Sequence, residues 1–296
     1  MNSVIEEYAN LNDIVFGICS ADDLTGLCEH ILDIPFNSGN FRDRISPGTF
    51  LSGAKSVIVL GAGIDKMPVF NGIDSVMAIS MSGQDYHKRL NDVSNGLVTK
   101  MLDESEFNYK IQIDSGPLIE RSFALKSGLG FIGNNRCIIT NRFGSFFNIA
   151  LIVVDIEIEP TAQLSKITCE GCNKCTDACP TKALDGSKFD YSRCISYLTQ
   201  KKGCLTDEEI SLLKSGASIY GCDICQNACL HNSDRIQEKN KYSKEYQEEV
   251  LTKICEMSSK QFSYNFKDSN LFWRGKSTIQ RNCKILLQGL ESLENG

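Results

Sequence analysis

An α/β N-terminal domain with a central mixed sheet, then a small cysteine-rich domain and a short helical C-terminal segment, is the fold class that this 296-residue sequence predicts. Three observations predict it. Up to about residue 160, apolar β-branched runs alternate with stretches whose apolar residues recur at helical spacing. From Pro160 the texture changes to short segments with clustered cysteines. The length suits about two domains. Boundaries are placed at 1–160, 161–232 and 233–296.

The elements follow in order. DIVFGIC (13–19) and SVIVLGAGI (56–64) are apolar, β-branched and bounded by turn residues, so both predict strands, and SVMAISM (75–81) has the same look. Leu24, Leu27, Cys28 and Ile31 repeat at helical spacing. So do Tyr86, Leu90, Val93, Leu97 and Met101, which predict a long helix from about Asp85 to Asp103. YKIQID (109–114) alternates like a strand. Pro117 suits a first helical turn and Gly128 a helix end, which predicts a helix over 117–127. CIIT (137–140) and FNIALIVVDIEI (147–158) complete the sheet.

Composition is that of a globular chain, 42% hydrophobic and 23% charged. No apolar run approaches the roughly 20 residues that span a bilayer. The start, MNSVIEEYAN, lacks the basic-then-apolar pattern of a signal peptide. A cytoplasmic protein without a membrane partner is therefore expected. Its reducing surroundings disfavour disulfides, so clustered cysteines point to metal or catalysis. Of the 14 cysteines, Cys19, Cys28, Cys137, Cys204, Cys255 and Cys283 are scattered and predicted to be buried thiols. A net charge of −6 does not attract nucleic acid, so any RNA contact needs a local basic patch. The stretch from Lys253 onward, with Arg274, Lys276, Arg281 and Lys284, is the candidate; a solvated helix face is the plain alternative.

The cysteines carry the chemistry. CEGCNKCTDACP (169–180) is C-x2-C-x2-C-x3-C-P, a run in which three thiolates wrap one cubane corner by corner and the fourth crosses to a second cluster. A second group exists in GCDICQNAC, with Cys222, Cys225 and Cys229. Cluster one then takes Cys169, Cys172, Cys175 and Cys229. Cluster two takes Cys222, Cys225 and the crossing Cys179, and lacks one thiolate. Cys194 is the best candidate and Cys204 its competitor. This is a ferredoxin-like domain with two 4Fe–4S clusters. Two structural zinc sites are the alternative, since zinc also accepts four thiolates in C-x2-C pairs. Paired clusters carry single electrons, and the large domain before them suggests that the electrons have a destination on this chain.

With these motifs on the page, the sequence resembles the epoxyqueuosine reductase family. The resemblance runs through GQDYHKRL (83–90), DSGPLIERSFALKSGLGFIGNN (114–135), RFGSFFNIALIV (142–153), the first cysteine group, RCISYLT (193–199), YGCDICQNAC (220–229) and FWRGKSTIQRN (272–282). It implies cobalamin held on the α/β domain, two 4Fe–4S clusters with Cys194 rather than Cys204 among the ligands, and Asp114 as general acid. It implies that Tyr86 and His87 line the substrate pocket. Gly130, Ile132, Gly133, Asn135, Arg142, Phe143 and Ser145 are the further cofactor contacts expected. The implied partners are a tRNA anticodon stem-loop carrying epoxyqueuosine and an electron donor such as ferredoxin or flavodoxin. A monomer is expected, in a short form without the helical-repeat extension that some members carry. Two motifs depart from the family pattern. Leu230-His231-Asn232 stands where Pro-Trp-Asn is usual, and Asn134-Asn135 where Lys-Asn is usual. An iron–sulfur carrier that reduces a corrinoid partner, or a reductive dehalogenase-like enzyme, are the alternative functions.

Single residues have plain readings beside the chemical ones. A carboxyl that donates a proton at neutral pH must be desolvated, which burial against a flat ring would achieve against the pull of a helix N-terminus. Asp114 could instead merely cap the helix that Pro117 begins. Asp85-Tyr86-His87 starts the D-x-H-x-x-G pattern of cobalt-ligating histidines, but position 90 is Leu, so His87 is read as a pocket residue. SGLGFIGNN (127–135) is neither a P-loop nor a dinucleotide fingerprint, and its glycines could admit cobalamin to the backbone. Arg121 and Arg142 could contact phosphate or propionamide groups, or be structural.

Overall fold

The structure, a computed structural model, describes residues 1–25, 27, 40–64, 71–81, 83, 85–161, 168–186, 188–235 and 242–292. Of the helix expected around Leu24–Ile31, Cys28 and Ile31 lie outside these residues. The chain forms two compact units. The first comprises Met1–Gly63 and Tyr86–Glu170, the second Ile64–Asp85 and Gly171–Gly296. The described residues of 64–85, which the sequence reading leaves in the first domain, belong with the second.

The first unit contains α1 (Asn2–Leu11), β1 (Ile14–Ser20), α2 (Phe41–Ile45), α3 (Pro47–Phe50), β2 (Ser56–Gly63), α4 (Tyr86–Leu102), β3 (Tyr109–Gln112), α5 (Glu120–Lys126), β4 (Phe131–Ile132), β5 (Ile138–Ile139) and β6 (Phe147–Val154). Strands β1-β2-β6-β3 make a four-stranded sheet in that order. Every pairing in it is antiparallel, with Ile58 opposite Ile18 and Ile152, and Ile111 opposite Ile152. A mixed sheet was the expectation, from strand-like runs that alternate with helix-like ones. Here both faces are covered on antiparallel strands. Ile58, Leu60, Ala150 and Ile152 pack with Ile5, Leu90, Leu97 and Met101 of α1 and α4. Val57, Val59, Leu151 and Val153 pack on the other side with Phe123, Ala124 and Leu118. Burying one such side chain contributes roughly 1.5–3 kcal/mol, so these two layers hold the sheet.

The helix expected from Pro117 begins only at Glu120, because the chain between Ile113 and Leu118 is taken up by a turn. The strand expected over 75–81 is absent. Ile73–Ser75 and Ile79–Met81 are single 3-10 turns, and the residues between them bond to another segment: Ile219 N–H donates to Val76 O (2.8 Å) and Ala78 N–H to Tyr220 O (3.1 Å).

The second unit holds α6 (Lys174–Ala178), the β7–β8 hairpin (Leu184–Asp185, Lys188–Phe189), α7 (Ile195–Gln200), α8 (Asp207–Lys214), α9 (Ile224–Asn227), α10 (Lys244–Glu256), α11 (Ser259–Phe266), α12 (Asn270–Arg274) and α13 (Lys276–Ser292). Thr206 with Glu209, and Ser258 with Gln261, form reciprocal capping boxes that start α8 and α11. The core combines Leu198, Leu213, Tyr220, Ile254, Phe266, Ile279 and Cys283 with Ile73 and Met77 of the 64–85 segment. Among the described residues no helix is long and apolar enough to cross a membrane.

Candidate active site

In the first unit, β3 ends in a turn that carries Asp114. Ser115 N–H closes back on Ile113 O and Gly116 N–H on Asp114 O (3.0 Å), so two three-residue turns follow one another. Asp114 sits at the centre of the first with φ +53°, left-handed backbone that only Gly, Asn and Asp adopt at little cost. Such strain persists where surrounding structure over-determines it. Here one side chain does so. The Gln112 amide donates to Leu118 O (2.7 Å) and accepts from Leu118 N–H (2.9 Å), closing the 113–117 loop at its base. Gly116 is obligatory, since a Cβ there would fall 2.2 Å from the Gln112 side chain. Gln112 also donates to Glu120 Oε1 at 2.8 Å.

The loop lies beside a cavity of about 540 Å³, lined by Phe50, His87, Lys88 and Asn91 together with 111–113 and 115–117. His87 comes from the first turn of α4 and its ring stacks on Tyr86, centroids 4.3 Å apart. His87 Nε2 stands 3.9 Å from Asp114 Oδ2, and the Asp114 side chain is 53% exposed. Asp114 does not cap α5, whose N-cap is Ile119. Burial pushes the Glu120 carboxyl up to about 7, the Gln112 hydrogen bond opposes this, and the Asp114 charge adds to the rise.

The glycine-rich candidates fall on the β4–β5 hairpin and the turn after it, and none of 130–145 lines that cavity. A Cβ on Gly130 would fall 2.3 Å from Ile139 O and one on Gly133 2.6 Å from the Ile139 side chain, so hairpin packing by itself demands both glycines. Ile132 pairs with Ile138 in this hairpin, and Ser145 is buried just beyond it. Phe143 packs on Gly63. Arg142 forms an ion pair with Asp13 and lies over the Phe143 ring, and Arg121 donates to Arg136 O (2.9 Å), so both cations have structural partners. Asn135 differs. Its Oδ1 accepts Cys137 N–H (3.1 Å), which fixes the amide's orientation, while its Nδ2 is buried and has no acceptor among the described residues.

In the second unit, α6 of the first cysteine group packs on α9 of the second. Burial pushes the Cys222 thiol up to about 11, and neighbouring Cys194 and Cys179 add to the rise, so these three thiols share one neighbourhood. Burial also acts on Cys179, yet its thiol is lowered. The Thr181 hydroxyl (3.6 Å) and the N–H groups of Leu184, Ala183 and Thr181 outweigh burial and favour a thiolate. Among the described residues no three His, Cys, Asp or Glu side chains close around a single ion. A four-iron cubane spaces its thiolates more widely than one ion does.

The second cysteine loop is braced by residues that the sequence reading passed over. Asp223 accepts Ser80 N–H (3.0 Å), the Ser80 hydroxyl and Gln226 Nε2 (3.1 Å). Gly221, at φ +71°, leaves no room for a Cβ against Met81 and Ala78. Asn282 donates to Thr199 O and Ile219 O, both at 2.8 Å, and Arg281 to Leu198 O, Lys201 O and Gly203 O. Arg281 and the buried Arg274, which lies over Trp273, are therefore structural cations, which removes two of the four named members of the expected basic patch. Of the scattered cysteines, Cys19 and Cys283 are buried as expected; Cys137 and Cys255 are half-buried, and Cys204 is exposed.

Comparison with known proteins places this geometry. Residues 168–232 match the model of a 4Fe–4S double cluster binding domain, so the chain carries an iron–sulfur domain there. The chain is 32% identical over 269 residues to an epoxyqueuosine reductase of Cyclobacterium marinum, covering 85% of this chain and 82% of that one. It superposes on the structure of epoxyqueuosine reductase from Streptococcus thermophilus with a TM-score of 0.84 and 29% identity, covering 98% of this chain and 81% of that one. It also resembles a crystal structure of epoxyqueuosine reductase with an epoxyqueuosine-modified tRNA-Tyr stem loop (TM-score 0.82, 27% identity, 98% and 81% covered).

Proposed function

The chain belongs to the epoxyqueuosine reductase family of oxidoreductases, and from that premise we propose that it reduces epoxyqueuosine to queuosine in tRNA, with Asp114 as proton donor. The observation that carries the reading is the strained Asp114 turn beside His87 and a cavity of about 540 Å³, on a chain that also holds a double-cluster domain.

Epoxide removal to an alkene takes two electrons and two protons and releases water. Cobalamin, when bound, supplies a strongly nucleophilic low-valent cobalt and one-electron chemistry. The chain's residues fit such a group at Asn135, whose enclosed Nδ2 donor has no acceptor among the described residues and suits a ring fringed with amide carbonyls. Tyr86, His87, Gly130, Ile132, Gly133, Arg142, Phe143 and Ser145 complete the proposed contacts. The protein must hold the substrate, keep bulk water from it and place a proton on the departing oxygen. The Asp114 carboxyl is the proton holder, its loop closed by Gln112 and His87 at its side. Substrate and cofactor would cover the exposed part of this carboxyl and keep bulk water from it.

The shared neighbourhood of Cys179, Cys194 and Cys222 supports one cluster on these three with Cys225, and the other on Cys169, Cys172, Cys175 and Cys229. A ferredoxin or flavodoxin is the proposed electron source, and a monomer working in the cytoplasm the proposed setting.

Asp114→Asn tests the reading. Loss of a positioned general acid costs on the order of 10²–10⁴ in rate. Turnover of an epoxyqueuosine-bearing stem-loop should fall by that much while cluster and cobalamin spectra persist. Unchanged turnover would remove Asp114 from the chemistry, and an intact protein that only passes electrons to a corrinoid partner would then explain the clusters.

A further inference from the structure

We propose that Glu120 is a positioning residue for this reaction: acting through the Gln112 amide, its packed-in carboxyl latches the 113–118 loop and so sets where the Asp114 carboxyl stands. The inference rests on the reading of Asp114 as proton donor and extends it to a residue that does not line the cavity.

The geometry is a chain of three contacts. Glu120 Oε1 accepts one N–H of Gln112 at 2.8 Å. The other polar contacts of that amide are both with Leu118, at 2.7 and 2.9 Å, and they close the loop that bears Asp114. Gln112 is itself buried at the end of β3, whose pairing with β6 fixes its backbone, Gln112 lying opposite Leu151. The amide is thus held from behind by the sheet and from the side by Glu120. A rotation that broke the Glu120 bond would also release Leu118. The two short turns around Asp114 and Ser115 are local to the loop, whereas the Gln112–Leu118 pair spans its base. The latch thus helps hold the left-handed Asp114 backbone.

The carboxyl is placed to respond to protons. Burial raises it to about 7. Of the charged groups near it, Asp114 favours the protonated form and Arg121 the ionised form; Asp114 in turn faces His87. The strands packed against α5 are β1, β2, β5 and β6, and they carry no Asp, Glu, Lys, Arg or His; Cys19, raised to about 12, is their titratable side chain. As pH rises through about 7, Glu120 ionises and its bond from Gln112 becomes charge-assisted, tightening the latch. Below that range the bond is neutral and the loop looser.

The experiment compares wild type, Glu120→Gln, Glu120→Ala, Gln112→Ala, the double variant and Asp114→Asn in the full chain. One readout needs no turnover: hydrogen exchange of the Leu118 N–H, which donates to Gln112 Oε1. Expected is an acceleration of about tenfold in Glu120→Ala, corresponding to a lost charge-assisted bond, and little change in Glu120→Gln, which keeps an acceptor. In the cofactor-loaded enzyme, Glu120→Ala should lower kcat about tenfold with KM held. The double variant should be no slower than Gln112→Ala alone, because both act along one path. Glu120→Gln should keep kcat at neutral pH to within a few-fold but lose the limb of the pH profile near 7. Wild-type Leu118 exchange in Glu120→Ala, or a wild-type pH profile in Glu120→Gln, overturns the latch even if Asp114→Asn is inactive. Full turnover by Asp114→Asn overturns the reading beneath it, and the latch with it.

Discussion

Asn282→Ala is the perturbation whose size the structure sets most directly. Both N–H groups of the fully buried Asn282 amide are used, on Thr199 O and Ile219 O at 2.8 Å each. Truncation leaves two interior carbonyls without this donor, and each such loss costs about 1–3 kcal/mol, so the variant should be destabilised by roughly 2–6 kcal/mol. Asn282→Asp separates hydrogen bonding from volume. It keeps the shape but aims an oxygen at the two carbonyls, so it should be at least as damaging as alanine. The carbonyls belong to α7, which Cys194 precedes, and to the segment that leads into Gly221 and Cys222. Thr199 also accepts Gly221 N–H on its hydroxyl (3.0 Å). Loosening this brace should therefore release iron early. Urea unfolding followed by circular dichroism gives the energy, and cluster absorbance followed in parallel gives the order of loss. A loss below about 1 kcal/mol in both variants, or an aspartate milder than alanine, would refute the reasoning.

Glu120 makes stability depend on pH. Its folded value of about 7 lies above the ordinary 4.5, so the folded state binds the extra proton, and stability falls as pH rises from about 4.5 through about 7. At about 1.4 kcal/mol per pH unit this amounts to up to about 3 kcal/mol, so Glu120→Gln should match wild type near pH 4 and exceed it near pH 8 in denaturant midpoints. Cys194→Ser should cut iron from about eight toward about four per chain, while Cys204→Ser leaves it unchanged; equal effects would reject the ligand assignment. Gly116→Ala should displace Gln112, speed Leu118 exchange and lower turnover with the clusters intact; a crystal structure with the Gln112–Leu118 pair unbroken would contradict this.

Much of this protein was legible in one dimension, for a local reason. Apolar runs bounded by turn residues located β1, β2, β3 and β6, and helical periodicity located α4 to within a residue or two at each end. The cysteine spacing announced a double-cluster domain, since thiolate geometry around a cubane is written directly into residue counts. The motif beginning at Asp114 falls on a left-handed turn beside the cavity. What such patterns do not encode is direction and partnership. A strand buried on both faces looks alike whether its neighbours run parallel or antiparallel, so the sheet's sense was settled by its pairing. SVMAISM has strand-like residues, but it meets Val76 and Ala78 partners at 219–220 and folds into turns. Gln112, Glu120, Ser80 and Asn282 are unremarkable letters. Each acquires a role only when a segment distant in the chain, or a turn it cannot foresee, supplies the acceptor or donor that its side chain completes. Sequence by itself determined which residues prefer to be inside and where a double-cluster domain lies. The tertiary structure alone decided which buried polar groups meet, because a hydrogen bond needs its two groups brought together in space, and residue spacing along the chain does not show that.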